Sequence, residues 1–187
     1  MDIKTKITAL AILAAATCGA GEQRKVTVCM QATLPTEVLE VSQAKAAGMF
    51  AAIGVKLDWR CPKSGPQGTI VISLVRGDPT SRNPHELAHA LPYEGAHILI
   101  FYDSVRRIMP NKVPALLAHV MVHEVTHILQ GISRHSDSGI MKAQWDENDF
   151  LQMTWKPLRF TDDDVDMIQR GLDAREARAL LASNHVE

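Results

Sequence analysis

The sequence predicts an α+β fold in one domain, on three observations. A strand-helix-strand pattern opens the chain after residue 24. Further short runs rich in β-branched residues follow it. Two long helical stretches then occupy the second half, one of them apolar on nearly every side. The 187 residues are 46% hydrophobic and 22% charged, which excludes a disordered or low-complexity chain. A formal charge of -1 offers no bulk field for nucleic acid or an anionic membrane, so neither is an expected partner.

Residues 1–20 have the layout of a cleaved signal peptide. Two lysines lie within Met1 to Lys6, an apolar stretch runs from Ile7 to Thr17, and small residues end at Ala20. That stretch is too short for a permanent membrane span. The expected destination is secreted or periplasmic, with lipidation at Cys18 as the alternative, and residues 21–187 form the single mature domain, expected to be a monomer. Cys29 and Cys61 then remain as an even pair in an oxidising compartment. A disulfide between them closes a loop of about 33 residues and contributes roughly 3 to 4 kcal/mol in the chain-entropy account. The other reading is two buried thiols.

Lys25 to Gln31 reads as the first strand. Pro35 and Thr36 open a helix with Leu39, Ala46, Phe50 and Ile53 on one face, Gly54 closes it, and Val55 to Arg60 is a second strand, parallel to the first. Thr69 to Val75 is apolar almost throughout and predicts a central strand. Leu87 to Leu91 and His97 to Tyr102 are two more strands, separated by a turn at Pro92 and Gly95. Asn111 is the expected cap of a long helix with Pro114 in its first turn, ended by Gly131. Its apolar residues (Leu116, Leu117, Val120, Met121, Val125, Leu129 among them) surround it, which predicts burial. A short helix is expected from Asp146 to Met153. A last helix begins at Thr161, where Asp162, Asp163 and Asp164 read as first-turn caps and Val165, Ile168 and Leu172 as the buried stripe.

The long helix contains His123, Glu124, Val125, Thr126 and His127. Histidines four apart project from one helix face about 6 Å apart and can bind a single zinc ion. Glu124, about 100° round the helix, can reach a zinc-bound water without displacing an imidazole. A second match, His85, Glu86, Leu87, Ala88, His89, is bracketed by Pro84 and Pro92 and fits an extended strand better. In a strand its histidines lie about 13 Å apart, too far for one ion. After Gly131 the chain can turn sharply, and His135 is placed to fold back as a third ligand, with Asp137 and Glu147 as oxygen-donor alternatives. Met141 follows, a flexible thioether suited to an apolar floor under a metal. His119 extends the histidine row by one turn, but residues spaced by fours drift about 40° per step, so it is not an expected ligand. Asp78, His89 and His97 lack a clear fourth partner for a second zinc and read as ordinary residues.

The run HEVTHILQGISRHSDSGIM, His123 to Met141, resembles the metzincin zinc endopeptidases, especially their matrixin-like branch. Leu87 to Ala90 (LAHA) resembles the substrate-side edge strand of matrixins. The resemblance implies a metzincin-like (zincin) domain: a mixed, twisted five-stranded sheet with an antiparallel edge strand, two long helices packed on it and a C-terminal helix. It implies one catalytic zinc ion held by His123, His127 and His135, Glu124 as general base, and Met141 as the Met-turn residue. The family pattern places its glycine three and its third histidine six residues after the second histidine; here Gly131 is four and His135 eight beyond His127. No tyrosine follows Met141 and Trp145 stands nearby, so a phenol ligand of the astacin kind is not implied. The expected function is a secreted zinc-dependent endopeptidase acting on peptide or protein substrates. The alternative is a zinc-stabilised binding module of the same scaffold.

Overall fold

The computed structural model describes residues 23–63, 68–76, 86–90 and 96–183. The leader read over residues 1–20, with Cys18, and Asp78, His85, Pro92 and Gly95 lie outside these residues. Strand β1 (Arg24–Gln31), helix α1 (Thr36–Ala51) and strand β2 (Val55–Trp59) form the opening unit. β1 and β2 pair in parallel, with Val26 opposite Leu57. Cys29 and Cys61 are bonded, so a covalent strap joins β1 to the chain just beyond β2. β3 (Ile70–Val75) pairs in parallel with β1. β4 (Ala88–Ala90) and β5 (His97–Phe101) pair antiparallel to each other, and β5 lies parallel to β3. The order β2-β1-β3-β5-β4 puts β3 in the centre and the short β4 on an edge.

Side chains alternate across a sheet, so every second residue faces the core. Val26, Val28, Ile70, Ile72, Ile98 and Ile100 are buried, whereas Leu99, between two of them, is exposed. The register sets Val28 beside Ile70 and Ile72 beside Ile98, which makes the buried residues one continuous face. α1 covers part of that face through Ala46, Met49 and Phe50.

Helix α2 (Tyr102–Ile108) was not expected from the sequence, which reads as strand through Tyr102. Seven residues are too few for a helical period to register, and its buried Tyr102 and Val105 give only one repeat. α3 (Val113–Gln130) follows. Asn111 does not cap it: Lys112 holds the N-cap position with no side-chain hydrogen bond. Pro114 in the first turn lacks an N–H, so one of the unsatisfied donors is absent in any case. Every residue from Ala115 to Leu129 is buried, as the all-round apolar sequence predicts.

α4 (Glu147–Trp155) starts with a reciprocal cap between Asp146 and Asp149. In α5 (Asp162–Ser183), Ile168 and Leu172 are buried and Val165 is half-buried. Asp164 N–H donates to Thr161 Oγ1 at 3.2 Å and Thr161 N–H to Asp164 Oδ2 at 3.0 Å. Of the three aspartates read as caps, Asp164 makes these cap bonds, and it is fully buried. No helix among the described residues is long and apolar enough to cross a membrane.

Candidate metal centre

Because α3 is enclosed on all sides, His123 and His127 leave it as held side chains rather than surface rotors. The His123 Nδ1 lies 2.8 Å from the Ile140 carbonyl and the His127 Nδ1 3.1 Å from the Ile132 carbonyl. A carbonyl oxygen only accepts, so each Nδ1 carries the hydrogen and each Nε2 keeps its lone pair. These two Nε2 atoms are 3.1 Å apart. Two lone pairs facing each other with no proton between them repel, and the arrangement suits a shared cation. Two nitrogens at zinc-ligand distance in a tetrahedral site lie about 3.3 Å apart.

His135 joins them. One ring nitrogen from each of His123, His127 and His135 falls within a 4.8 Å group, and this is the one such cluster among the described residues. Asp137, Glu147, His89 and His97 are not in it. His119 is not either: its Nδ1 bonds the Ala115 carbonyl at 2.7 Å and its Nε2 accepts from Leu158 N–H at 3.1 Å, so both ring nitrogens are engaged.

Backbone turns bring His135 to this cluster. Gly131 ends α3 with φ +71°, in the left-handed region, and its N–H closes on the His127 carbonyl at 2.9 Å. The following Ile132 carbonyl is the one that holds His127. The segment between the two histidines therefore supplies the carbonyl that orients His127 before it brings His135 to the cluster. Beyond His135, Ser136 N–H donates to the Met141 carbonyl at 2.8 Å, and Met141 is fully buried.

Burial sets the charge state. It pushes the His123 imidazole down to about 3 and His127 to about 4, with neighbouring imidazoles adding to the effect and the carbonyl partners opposing it. His135, largely exposed, is lowered as well by its partial desolvation. All three are neutral donors at physiological pH, the form that binds a metal. Glu124 moves the other way. Burial first, then the nearby Glu86 carboxylate, raise it to about 8, against a backbone hydrogen bond from Ala90.

These groups border a cleft of about 700 Å³. One wall is the segment from Glu86 to Ala90 with β4; the other carries Lys142, Trp145 and Phe150, and the histidines and Glu124 form the floor. Trp145 stands perpendicular to His123, ring centres 5.5 Å apart. Of the second histidine-glutamate motif, Ala88 and His89 lie in β4 and Glu86 and Leu87 lead into it; the segment is not idle, since Glu86 and His89 pair at 3.4 Å and both line the cleft. Glu86 was read from sequence only as a member of that second motif, with no role at the site, and the carbonyls of Ile132 and Ile140 were not singled out. For Glu86, the available signal was its place just before the expected substrate-side edge strand; backbone carbonyls leave no residue-specific signal.

Compared with protein families and with curated proteins, the chain matches none. Solved structures do match. The archaemetzincin of Methanopyrus kandleri is 14% identical with a TM-score of 0.54, over 82% of this chain and 97% of that one. The archaemetzincin of Archaeoglobus fulgidus, solved with malonate, is 12% identical with a TM-score of 0.51, over 76% of this chain and 99% of that one. With its mixed five-stranded sheet and enclosed central helix, this chain has a metzincin-like α+β fold similar to that of archaemetzincins.

Proposed function

We propose that the protein is an exported zinc-dependent endopeptidase, with residues 1–20 as its leader. One zinc ion is held by His123, His127 and His135, and Glu124 is the general base. The observation that carries this reading is the pair of Nε2 lone pairs aimed at one another 3.1 Å apart, with a third imidazole in the same group. Fixed tautomers, neutral rings and a donor set of three imidazoles fit zinc. The archaemetzincin-like fold supports it too. The narrower matrixin-like placement rests on the run from His123 to Met141 and on the LAHA strand.

When bound, zinc supplies Lewis acidity, polarising a carbonyl and lowering the pKa of water towards about 7. The chain's own groups do the rest. The peptide lies extended beside β4, adding a strand to the open edge. Glu124, on the cleft floor beside the histidines, would be ionised by a cation held there in spite of its raised pKa, and its carboxylate takes the proton of the attacking water and returns it to the leaving nitrogen. Trp145 and Phe150 give the cleft apolar surface on its other wall.

The test is digestion of a peptide library by the purified protein, with and without chelator. Cleavage is expected to stop on chelation and return with zinc. Glu124→Ala is expected to keep zinc and lose about 10²- to 10⁴-fold in turnover. Retained turnover in that variant refutes the general-base role.

A further inference from the structure

We infer that Asp164 is the positioning residue for His135, an inference that rests on the zinc site proposed above. His123 and His127 are fixed by their helix and by carbonyls. His135 comes from a loop, is exposed, and no hydrogen bond holds its ring among the described residues. The residues on either side of it are held instead, Ser136 by the Asp164 carboxylate and Arg134 by Asp164 together with Asp163, 3.7 Å away. Ser136 Oγ donates to Asp164 Oδ1 at 2.6 Å, and the Arg134 guanidinium lies 3.4 Å from the same oxygen. Asp164 Oδ2 takes the Thr161 N–H, and the Asp164 carbonyl accepts from the Gln130 side chain, at the end of α3, at 3.4 Å. One residue thus joins the end of α3, both neighbours of the third ligand and the start of α5.

Burial separates this role from capping. A first-turn aspartate can stay in water, as its neighbours Asp162 and Asp163 do. Asp164 has none of its surface exposed. Removing a carboxylate from water is costly unless its lone pairs are filled, and here the loop carrying His135 supplies two of the donors. The spacing gives a reason. With two residues more than the family pattern, the segment has more conformations to lose, and a ring displaced by about 1 Å no longer coordinates well. The anchor reaches further, since the N–H of the clamped Ser136 also holds the Met141 carbonyl.

The experiment measures zinc affinity by competition with a chromophoric chelator for the wild type, Asp164→Asn, Ser136→Ala and Thr161→Ala. The unfolding midpoint of each without metal is the second reading. Asp164→Asn and Ser136→Ala are expected to bind zinc about 10-fold more weakly or worse, in the range seen when groups supporting a ligand are removed. Thr161→Ala loses only the cap. It is expected to lower the metal-free midpoint and leave zinc affinity unchanged. Ser136→Ala leaves the buried carboxylate and its cap in place, and carries the test if Asp164→Asn does not fold. If Ser136→Ala binds zinc as the wild type does, or Thr161→Ala weakens binding equally, Asp164 is a helix cap and the inference is overturned. A wild type that binds no zinc overturns the site itself, and the wild-type measurement tells the two failures apart.

Discussion

Alanine in place of Gly139 is expected to damage both the fold and the metal centre, whereas alanine in place of Gly131 should cost little beyond its backbone strain. Both glycines have positive φ, +77° and +71°. A side chain in that region costs roughly 1 to 2 kcal/mol. At Gly131 nothing lies within 4 Å of an added Cβ, so this is the whole effect. At Gly139 the Cβ would sit 2.2 Å from the Arg159 carbonyl oxygen. The obstacle is backbone rather than the end of a flexible side chain, so the turn must move, and overpacking of this kind adds about 1 to 3 kcal/mol. The total for Gly139→Ala is about 3 kcal/mol. The displaced carbonyl also accepts the Ile140 N–H at 3.0 Å, and the Ile140 carbonyl in turn holds His123. Zinc affinity is therefore expected to fall about 10-fold as well. Urea unfolding with excess chelator, followed by chelator competition for zinc, measures both. If Gly139→Ala is no less stable than Gly131→Ala, the steric reasoning is wrong; if it is less stable but binds zinc normally, the link through Ile140 is wrong.

Two further perturbations test the surroundings of the site. Burial lowers the pKa of His119, so between its folded value and 6.5 the unfolded chain binds a proton that the folded one does not. Its contribution to stability is complete above pH 6.5 and is lost as pH falls. Without metal, the wild type should therefore lose unfolding free energy on acidification more steeply than His119→Gln, and parallel pH profiles would contradict this. Trp145, 5.5 Å from His123, should report zinc binding by a change in indole emission. Trp145→Phe should abolish that change although Trp59 and Trp155 remain; a full response in the variant would place the reporter elsewhere.

What the sequence made legible was whatever local pattern or spacing encodes. The apolar circumference of α3 announced a buried helix, and residues four apart on it announced a paired donor set. The prolines around the second motif separated a strand from a helix with the same letters. What it hid depends on distance or on the backbone. Asp164 looked like any first-turn aspartate because the serine it binds is 28 positions away. Ile132 and Ile140 act through carbonyls, which every residue has. α2 was missed because two turns of helix after a strand carry too little period to separate them from its continuation.

The edge strand links recognition to chemistry through the alternation of its own amides. Phe101 N–H donates to the Leu87 carbonyl at 2.9 Å, so Leu87 faces inward to β5. In an antiparallel ladder the inward and outward groups alternate. His89, opposite Leu99, therefore also faces β5, and Ala88 and Ala90 turn their peptide groups to the open edge. The backbone hydrogen bond from Ala90 to Glu124 agrees with that assignment. On the peptidase reading, the edge that would take a substrate strand is the one already bonded to the general base. A peptide pairing with Ala88 is thereby brought alongside the Glu124 carboxylate by the sheet's own spacing, and no separate hinge or lid is needed to align them.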